Sequence, residues 1–228
     1  SRLIGMELVT SPDLIEATSD TGVFMSLSGT LKRAAVKLSK ICNDLRLLSS
    51  GPQAGLRELI LPPRQAGSSI MPGKVNPVIP EVVNQVAYMI IGADATVTAA
   101  AEGGQLQLNA FEPIIAHSML QSVSWLANAC YTLRVNCVEG IDVDRERLAK
   151  EVGASVGVVT ALIPFIGYQT AAEIAMEALA TGHQIADLIV ERGLMSRDDV
   201  VRALTPERLS GLAPQTTSIP IIRQRPPA

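Results

Sequence analysis

Aromatic side chains are nearly missing from this chain of 228 residues; Trp, Tyr and Phe together make up 3% of it. A surface that grips single-stranded nucleic acid by stacking needs more of them. A basic excess is missing too. Nineteen Lys and Arg face 22 Asp and Glu, a formal charge of −3 without a basic stripe, which excludes a phosphate-backbone partner. Histidine occurs only at His117 and His183, and cysteine only at Cys42, Cys130 and Cys137. These do not make a zinc-type ligand cluster, so no metal and no cofactor is expected. The cysteines are odd in number and lie in apolar helical patterns, which predicts buried, reduced thiols in a cytoplasmic protein. No apolar run approaches the roughly 18–20 residues of a membrane span, so no membrane partner is expected. The first residues, Ser1-Arg2-Leu3-Ile4-Gly5, match neither a signal peptide nor a start methionine and read as a chain beginning in the middle of something.

What is present is helical periodicity. Ser11-Pro12-Asp13 offers a capping hydroxyl, a proline for the first helical position and an acid for the dipole. The helix predicted from there runs to Ser49, where Gly51-Pro52 stops it, and would be about 57 Å long at 1.5 Å per residue. Leu27, Leu31, Ala34, Leu38, Ile41, Leu45 and Leu48 recur by fours and threes, the seam of a helix packed nearly parallel to its neighbours. A second helix is predicted from Pro80-Glu81 towards Ala101 through Val82, Val86, Met89, Ile90 and Ala93, ended by Gly103-Gly104. A third begins near Glu112-Pro113 with a seam of Ala116, Met119, Val123, Leu126, Cys130, Leu133 and Cys137. Three such segments predict an antiparallel bundle over residues 1–141.

After Gly140 the texture changes to short helices, so residues 142–228 read as a small separate helical domain. Thr170–Glu173 and Ser196–Asp199 both have the spacing of capping boxes, and Gly193 reads as a helix stop. Arg145, Glu146 and Arg147 read as a solvated helix face. The tail from Pro214 is expected to be poorly ordered.

Between the first two long helices lie six prolines and four glycines within residues 51–80, which forbid a long regular element. At 64–77 this connection carries Gly67-Ser68-Ser69-Ile70-Met71-Pro72-Gly73-Lys74-Val75-Asn76-Pro77. Gly67 and Gly73 are hinge candidates for a loop that opens and closes. Lys74 and Asn76 together suit a carboxylate, one supplying charge and the other an amide donor. A phosphate-cradling P-loop is excluded, because five residues separate the glycines, Val75 follows the lysine and no strand precedes the segment. By composition alone a Gly/Pro/Ser connector between helices stays open as a reading.

Gly67–Pro77 resembles, letter for letter, the signature loop of the aspartase/fumarase superfamily, Gly-Ser-Ser-x-Met-Pro-x-Lys-x-Asn-Pro. The likeness also covers residues 37–52 and continues to about Leu209; residues 214–228 match nothing in the family. Asn76–Val86 and Ala101–Pro113 are similar to the aspartate ammonia-lyases, whereas fumarases usually carry Thr-Gln after the Asn-Pro and a Phe-Glu-Leu-Asn run in the second place. The resemblance implies an all-α fold whose long helices form part of a tetrameric helical core, with active sites shared between subunits. It implies that Ser68 is the base that removes a Cβ proton from a small C4-like dicarboxylate, through an aci-carboxylate. Ser69, Lys74 and Asn76 would bind that substrate, and Glu81 matches a glutamate that pairs with an active-site histidine. Neither His117 nor His183 matches a family motif; both read as structural or surface residues. Family members run to about twice this length, as several domains, with their histidine- and threonine-containing segments upstream. An isolated piece of this length is therefore expected to self-associate through residues 12–137 and to be inactive.

Overall fold

The computed structural model describes residues 5–51, 53–65, 67, 71 and 74–212. The catalytic candidate Ser68, its neighbour Ser69, the hinge candidate Gly73 and the tail from Pro214 lie outside the described residues. The chain forms two compact units, residues 1–143 and 144–228.

The first unit opens with a short helix, α1 (Leu14–Ser19), capped by Asp13, whose carboxylate accepts the Ile15 and Glu16 amides. Asp13, rather than Ser11, is the cap; the Ser11 hydroxyl donates to the Asp13 carbonyl instead. The single long helix expected from residue 12 to 49 is interrupted. Asp20 is extended (φ −80°, ψ 127°), and its carboxylate accepts the Gly22 amide, so the helix restarts as α2 (Gly22–Leu48). A side-chain acceptor two residues upstream competes with the helical ladder there, and Gly22 lowers what the break costs.

After α2 come the two-residue strand β1 (Leu59–Ile60), α3 (Val78–Glu102) and α4 (Glu112–Asn136); a 3₁₀ turn at Val138–Gly140 leads to β2 (Asp142–Val143). β1 and β2 pair antiparallel, Leu59 opposite Val143 and Ile60 opposite Asp142. The order of contacts between α2 and α3 fixes their direction. Ser28 meets Asp94, Ser39 meets Asn84 and Arg46 approaches Glu81, so the helices run antiparallel. Their apolar contacts form small clusters, with Ala35, Ala87 and Ile90 along α2 and α3, and Val97, Ala100, Ile115 and Met119 along α3 and α4. Cys42, Leu45, Val83, Ala129, Leu133 and Cys137 close the bundle at one end. Each fully buried Ile or Val there contributes about 1.5–3 kcal/mol.

The expected seams are buried only in part: Leu45, Ile90, Met119, Leu133 and Cys137 face inward, and other seam positions do not. On α2 the inward positions are Ser28, Ala35, Ser39, Cys42 and Leu45, while Leu27 and Ile41 are exposed. On α3 they include Val83, Ala87 and Ile90, while Val82 and Met89 are exposed. On α4 they include Ile115, Met119 and Leu133, while Ala116, Val123 and Cys130 are exposed. The reason is that each helix is apolar over more than one stripe, so spacing alone does not choose which stripe this unit buries. Cys130 therefore departs from the expectation of three buried thiols. Burial, the neighbouring Cys137 and an opposing effect of Arg46 leave the Cys42 thiol pushed up to about 11, and burial also raises Cys137. Both stay protonated and unreactive at neutral pH.

A buried polar contact orients α2 on α3. Asp94 is 7% exposed, accepts from Ser28 Oγ at 2.8 Å and pairs with Lys32. Burial by itself would raise its pKa, but hydrogen bonds from Lys32 and Ser28 and the Lys32 charge outweigh that and hold the carboxyl below its ordinary range. A depressed carboxylate stabilises the fold above its unfolded pKa and loses that contribution as pH falls through the folded one. Lys32 is 44% exposed, so solvent screens the pair and the cost of breaking it is moderate. Asp94→Ala is expected to destabilise by about 1–3 kcal/mol at pH 7, a difference that shrinks below about pH 4 as the wild-type carboxyl protonates. Urea unfolding at both pH values checks this; coincident transitions at pH 7 would mean the contact carries no stability.

The second unit consists of α5 (Arg145–Ala154), a 3₁₀ stretch (Val156–Leu162), α6 (Ile163–Ile166), α7 (Tyr168–Thr181), α8 (Ile185–Glu191), α9 (Arg197–Ala203) and α10 (Pro206–Leu209). Its core is Leu162, Ile174, Ile185, Ile189 and Val200 with their neighbours. Ser196 caps α9 by accepting the Asp199 amide, and Gly193 ends α8 at φ +64°. Thr170–Glu173 is not a capping box. Gly167 (φ +80°) occupies the cap of α7, which leaves Thr170 inside the helix. Arg147 and Glu151 form an i,i+4 pair on α5. Among the described residues no single helix is long and apolar enough to cross a membrane.

Candidate active site

The candidate site is built on the C-terminal end of α2. There the chain turns back on the helix. Ser50 O accepts the Arg57 amide at 2.8 Å, Ser50 Oγ accepts the Leu56 amide at 3.1 Å and Leu48 O accepts the Glu58 amide at 2.9 Å. Gly55 makes that return possible, because a Cβ at this position would lie 2.3 Å from the Ser50 carbonyl carbon. The chain then enters β1, and Arg64 Nε donates to Asn136 O at 2.8 Å, satisfying a carbonyl at the end of α4. The connection is thus tied to two helix ends before the serine loop begins.

The loop is closed on itself. Gly67 N donates to Lys74 O at 2.7 Å, and Asn76 Nδ2 donates to Gly67 O at 3.2 Å. A Cβ on Gly67 would stand 2.6 Å from Lys74 O, so only glycine permits this closure. Gly67 therefore serves a close backbone approach in this conformation, with both its amide and its carbonyl engaged. Asn76, expected to offer its amide to a substrate, commits one of its two amide hydrogens to the loop itself. Lys74 is exposed, and its ties to the loop run through its backbone, the N–H donating to Met71 O at 3.2 Å. Among the described residues its ammonium meets no carboxylate.

Glu81 stands in the first turn of α3, half-buried, with its carboxylate 4.0 Å from Arg46 Nε. Arg46 also donates to Asn84 Oδ1 at 3.3 Å, and Asn84 in turn binds Ser39 and Asn43. Glu81 thus faces an arginine in this chain. His117 is exposed on α4, and His183 lies in the other unit between α7 and α8. Among the described residues no group of three or more His, Cys, Asp or Glu could hold a metal ion.

A cavity of about 430 Å³ opens between the end of α2, the returning chain and the segment after the loop. Arg46, Arg57 and Lys74 line it, with Leu59, Leu61, Val75 and Pro77 as apolar wall. Its described lining holds three cationic side chains, Arg46 already paired with Glu81, and no carboxylate, a charge that suits a small anion. Arg46 and Arg57 did not stand out in the sequence. Arg46 reads as one more charged residue on a helix, and nothing in the letters around Arg57 shows that its φ is +47°.

Comparison with known proteins matches residues 1–92 to a family described as Lyase and residues 158–211 to one described as Fumarase C C-terminus. An aspartate ammonia-lyase from Corynebacterium glutamicum is 54% identical over 209 residues, 92% of this chain and 40% of the relative. A crystal structure of fumarate lyase:delta crystallin from Brucella melitensis bound to cobalt superposes with a TM-score of 0.84 at 51% identity, covering 93% of this chain and 46% of that one. A class II fumarase from Schistosoma mansoni superposes with a TM-score of 0.79 at 32% identity, over 88% of this chain and 42% of that one. The chain spans less than half the length of each of these relatives.

Proposed function

Because the chain belongs to the aspartase/fumarase superfamily of lyases, we propose that it supplies the serine loop of an enzyme that deaminates L-aspartate to fumarate. It is homologous to aspartate ammonia-lyases, and one observation carries the reading further. The loop Gly67–Pro77, which resembles the superfamily signature throughout, delivers Lys74 to a cavity lined by three cations and no described acid. A substrate with two carboxylates fits that charge.

In this reading the Ser68 side chain, ionised, takes a proton from Cβ of aspartate. The electron pair left on Cβ spreads into the adjacent carboxylate as a doubly charged aci-carboxylate, which the Lys74 ammonium stabilises as charge develops. The pair then returns to form the Cα–Cβ double bond as the Cα–N bond breaks and ammonia leaves. The same cation and the loop amides would hold Ser68 ionised. Glu81 would act from behind, on a histidine of another segment; Asn76 would tie the loop to Gly67 with one amide hydrogen and offer the other to the substrate carboxylate. Ser69 would add a hydroxyl donor.

Self-association belongs to the same reading. Leu27, Ile41, Met89 and Val123 lie exposed on the three long helices, and apolar residues placed so are what a shared helical core would cover. The isolated chain would then assemble without being active, for want of the upstream segments.

The experiment is release of fumarate, followed by its ultraviolet absorbance, from L-aspartate and separately from L-malate by the full-length protein. Light scattering on the same sample reads the assembly. Release from aspartate alone is the expected result. Release from malate alone would make the protein a fumarate hydratase, the alternative favoured by the Schistosoma likeness. Release from neither, with a stable oligomer, would leave a helical assembly without catalysis.

A further inference from the structure

Arg57 is one of two non-glycine residues with left-handed φ among the described residues, at +47°. A long L side chain is disfavoured there, and such a conformation persists only where its surroundings impose it. Here the Ser50 bonds and the Gly55 contact impose it. The result is that Arg57, exposed, lines the same cavity as Lys74. The third cation, Arg46, is already engaged by Glu81 and Asn84. Among the described residues the Arg57 guanidinium and the Lys74 ammonium meet no carboxylate. Two uncommitted cations border one cavity, and the apolar wall beside them strengthens any charge pairing made there.

We infer that Arg57 is a carboxylate-binding residue of this cavity, taking one end of a C4 dicarboxylate while Lys74 takes the other. The inference rests on the proposed function only for which dicarboxylate is bound. That ligand is either the substrate itself or a second dicarboxylate that modulates the enzyme. Arginine suits the task because its planar fork meets both oxygens of one carboxylate. The left-handed backbone that sets Arg57 at the cavity costs stability, so function and stability oppose each other at this residue.

The test uses the full-length protein with Arg57→Ala, Arg57→Lys and Arg57→Asn. Succinate, a C4 dicarboxylate with no amine to lose, is titrated calorimetrically, and KM and kcat for L-aspartate are measured alongside. Arg57→Ala is expected to weaken succinate binding about tenfold to a hundredfold, the worth of a charge-assisted pair. KM should rise in parallel and kcat fall less, with Arg57→Lys partly restoring both. Arg57→Asn should bind as poorly as alanine yet melt at or above the wild-type temperature, because Asn tolerates the left-handed backbone. A merely structural Arg57 would lose stability instead. If KM holds while succinate binding and its effect on rate are lost, Arg57 serves a separate dicarboxylate site. Succinate affinity unchanged within twofold across the variants, or no binding to wild type, overturns the inference. A wild type that binds succinate but releases no fumarate defeats the proposed activity, and the variants' succinate affinities then still decide Arg57.

Discussion

Ser68→Ala in the full-length protein is expected to lower kcat for L-aspartate by about 10²–10⁴-fold, the range for removing a positioned general base. In the proposed reaction Ser68 would take a weakly acidic proton. A proton on a carbon next to a carboxylate is held tightly, because its removal puts a second negative charge beside the first. Without a base aimed at it, binding by Lys74 and Arg57 would hold substrate that does not react, so KM should change little while kcat collapses. The exchange deletes one hydroxyl and leaves the backbone unaltered. Circular dichroism and the oligomer size should therefore match wild type, separating loss of chemistry from loss of fold. Ser69→Ala is the control, with a smaller loss expected from one missing donor. Near-normal turnover by Ser68→Ala, or a larger loss at Ser69, would move the base elsewhere.

The helices and the loop were legible in the sequence to different degrees, for physical reasons. α3 and α4 begin within two residues of where proline and acid mark a first turn, and they end at Gly103 and near Cys137 as their spacing indicates. The inward faces were only partly legible, because Leu27, Val82 and Val123 are as apolar as the residues that are buried. A helix with two apolar stripes does not declare which one its own chain covers. The break at Asp20 was hidden because aspartate is common on helix surfaces, and its bond to the Gly22 amide exists only in three dimensions. Thr170 had the spacing of a cap but lost that place to Gly167, whose φ of +80° suits the chain reversal before α7. At the site, residue types suggested a loop suited to a carboxylate. They did not reveal that Asn76 closes the loop on Gly67, nor that the chain after α2 folds back to bring Arg57 to the same cavity. Such details depend on backbone geometry, on which side-chain letters are silent.

Lys74→Ala is expected to raise KM for L-aspartate about tenfold or more and to lower kcat by a further factor of about a hundred to a thousand, the range for loss of a donor aimed at developing charge. The two effects separate because the ammonium would meet a single negative charge in the bound substrate and a double one in the aci-carboxylate, so its contribution grows along the reaction. The loop should survive the change. Lys74 holds Gly67 through its backbone carbonyl, at 2.7 Å, and Asn76 holds it through its own amide, so truncating the lysine side chain breaks neither tie. Lys74→Arg distinguishes charge from shape. It keeps the cation on a longer, planar group, and should recover most of KM but only part of kcat, since the transition-state contact depends on where the charge sits. Steady-state assays over a range of aspartate concentrations, with succinate as competitive inhibitor, check both effects. If KM, kcat and the succinate inhibition constant all stay at wild-type values in Lys74→Ala, the ammonium does not touch the substrate, and the cavity's charge acts through its arginines alone.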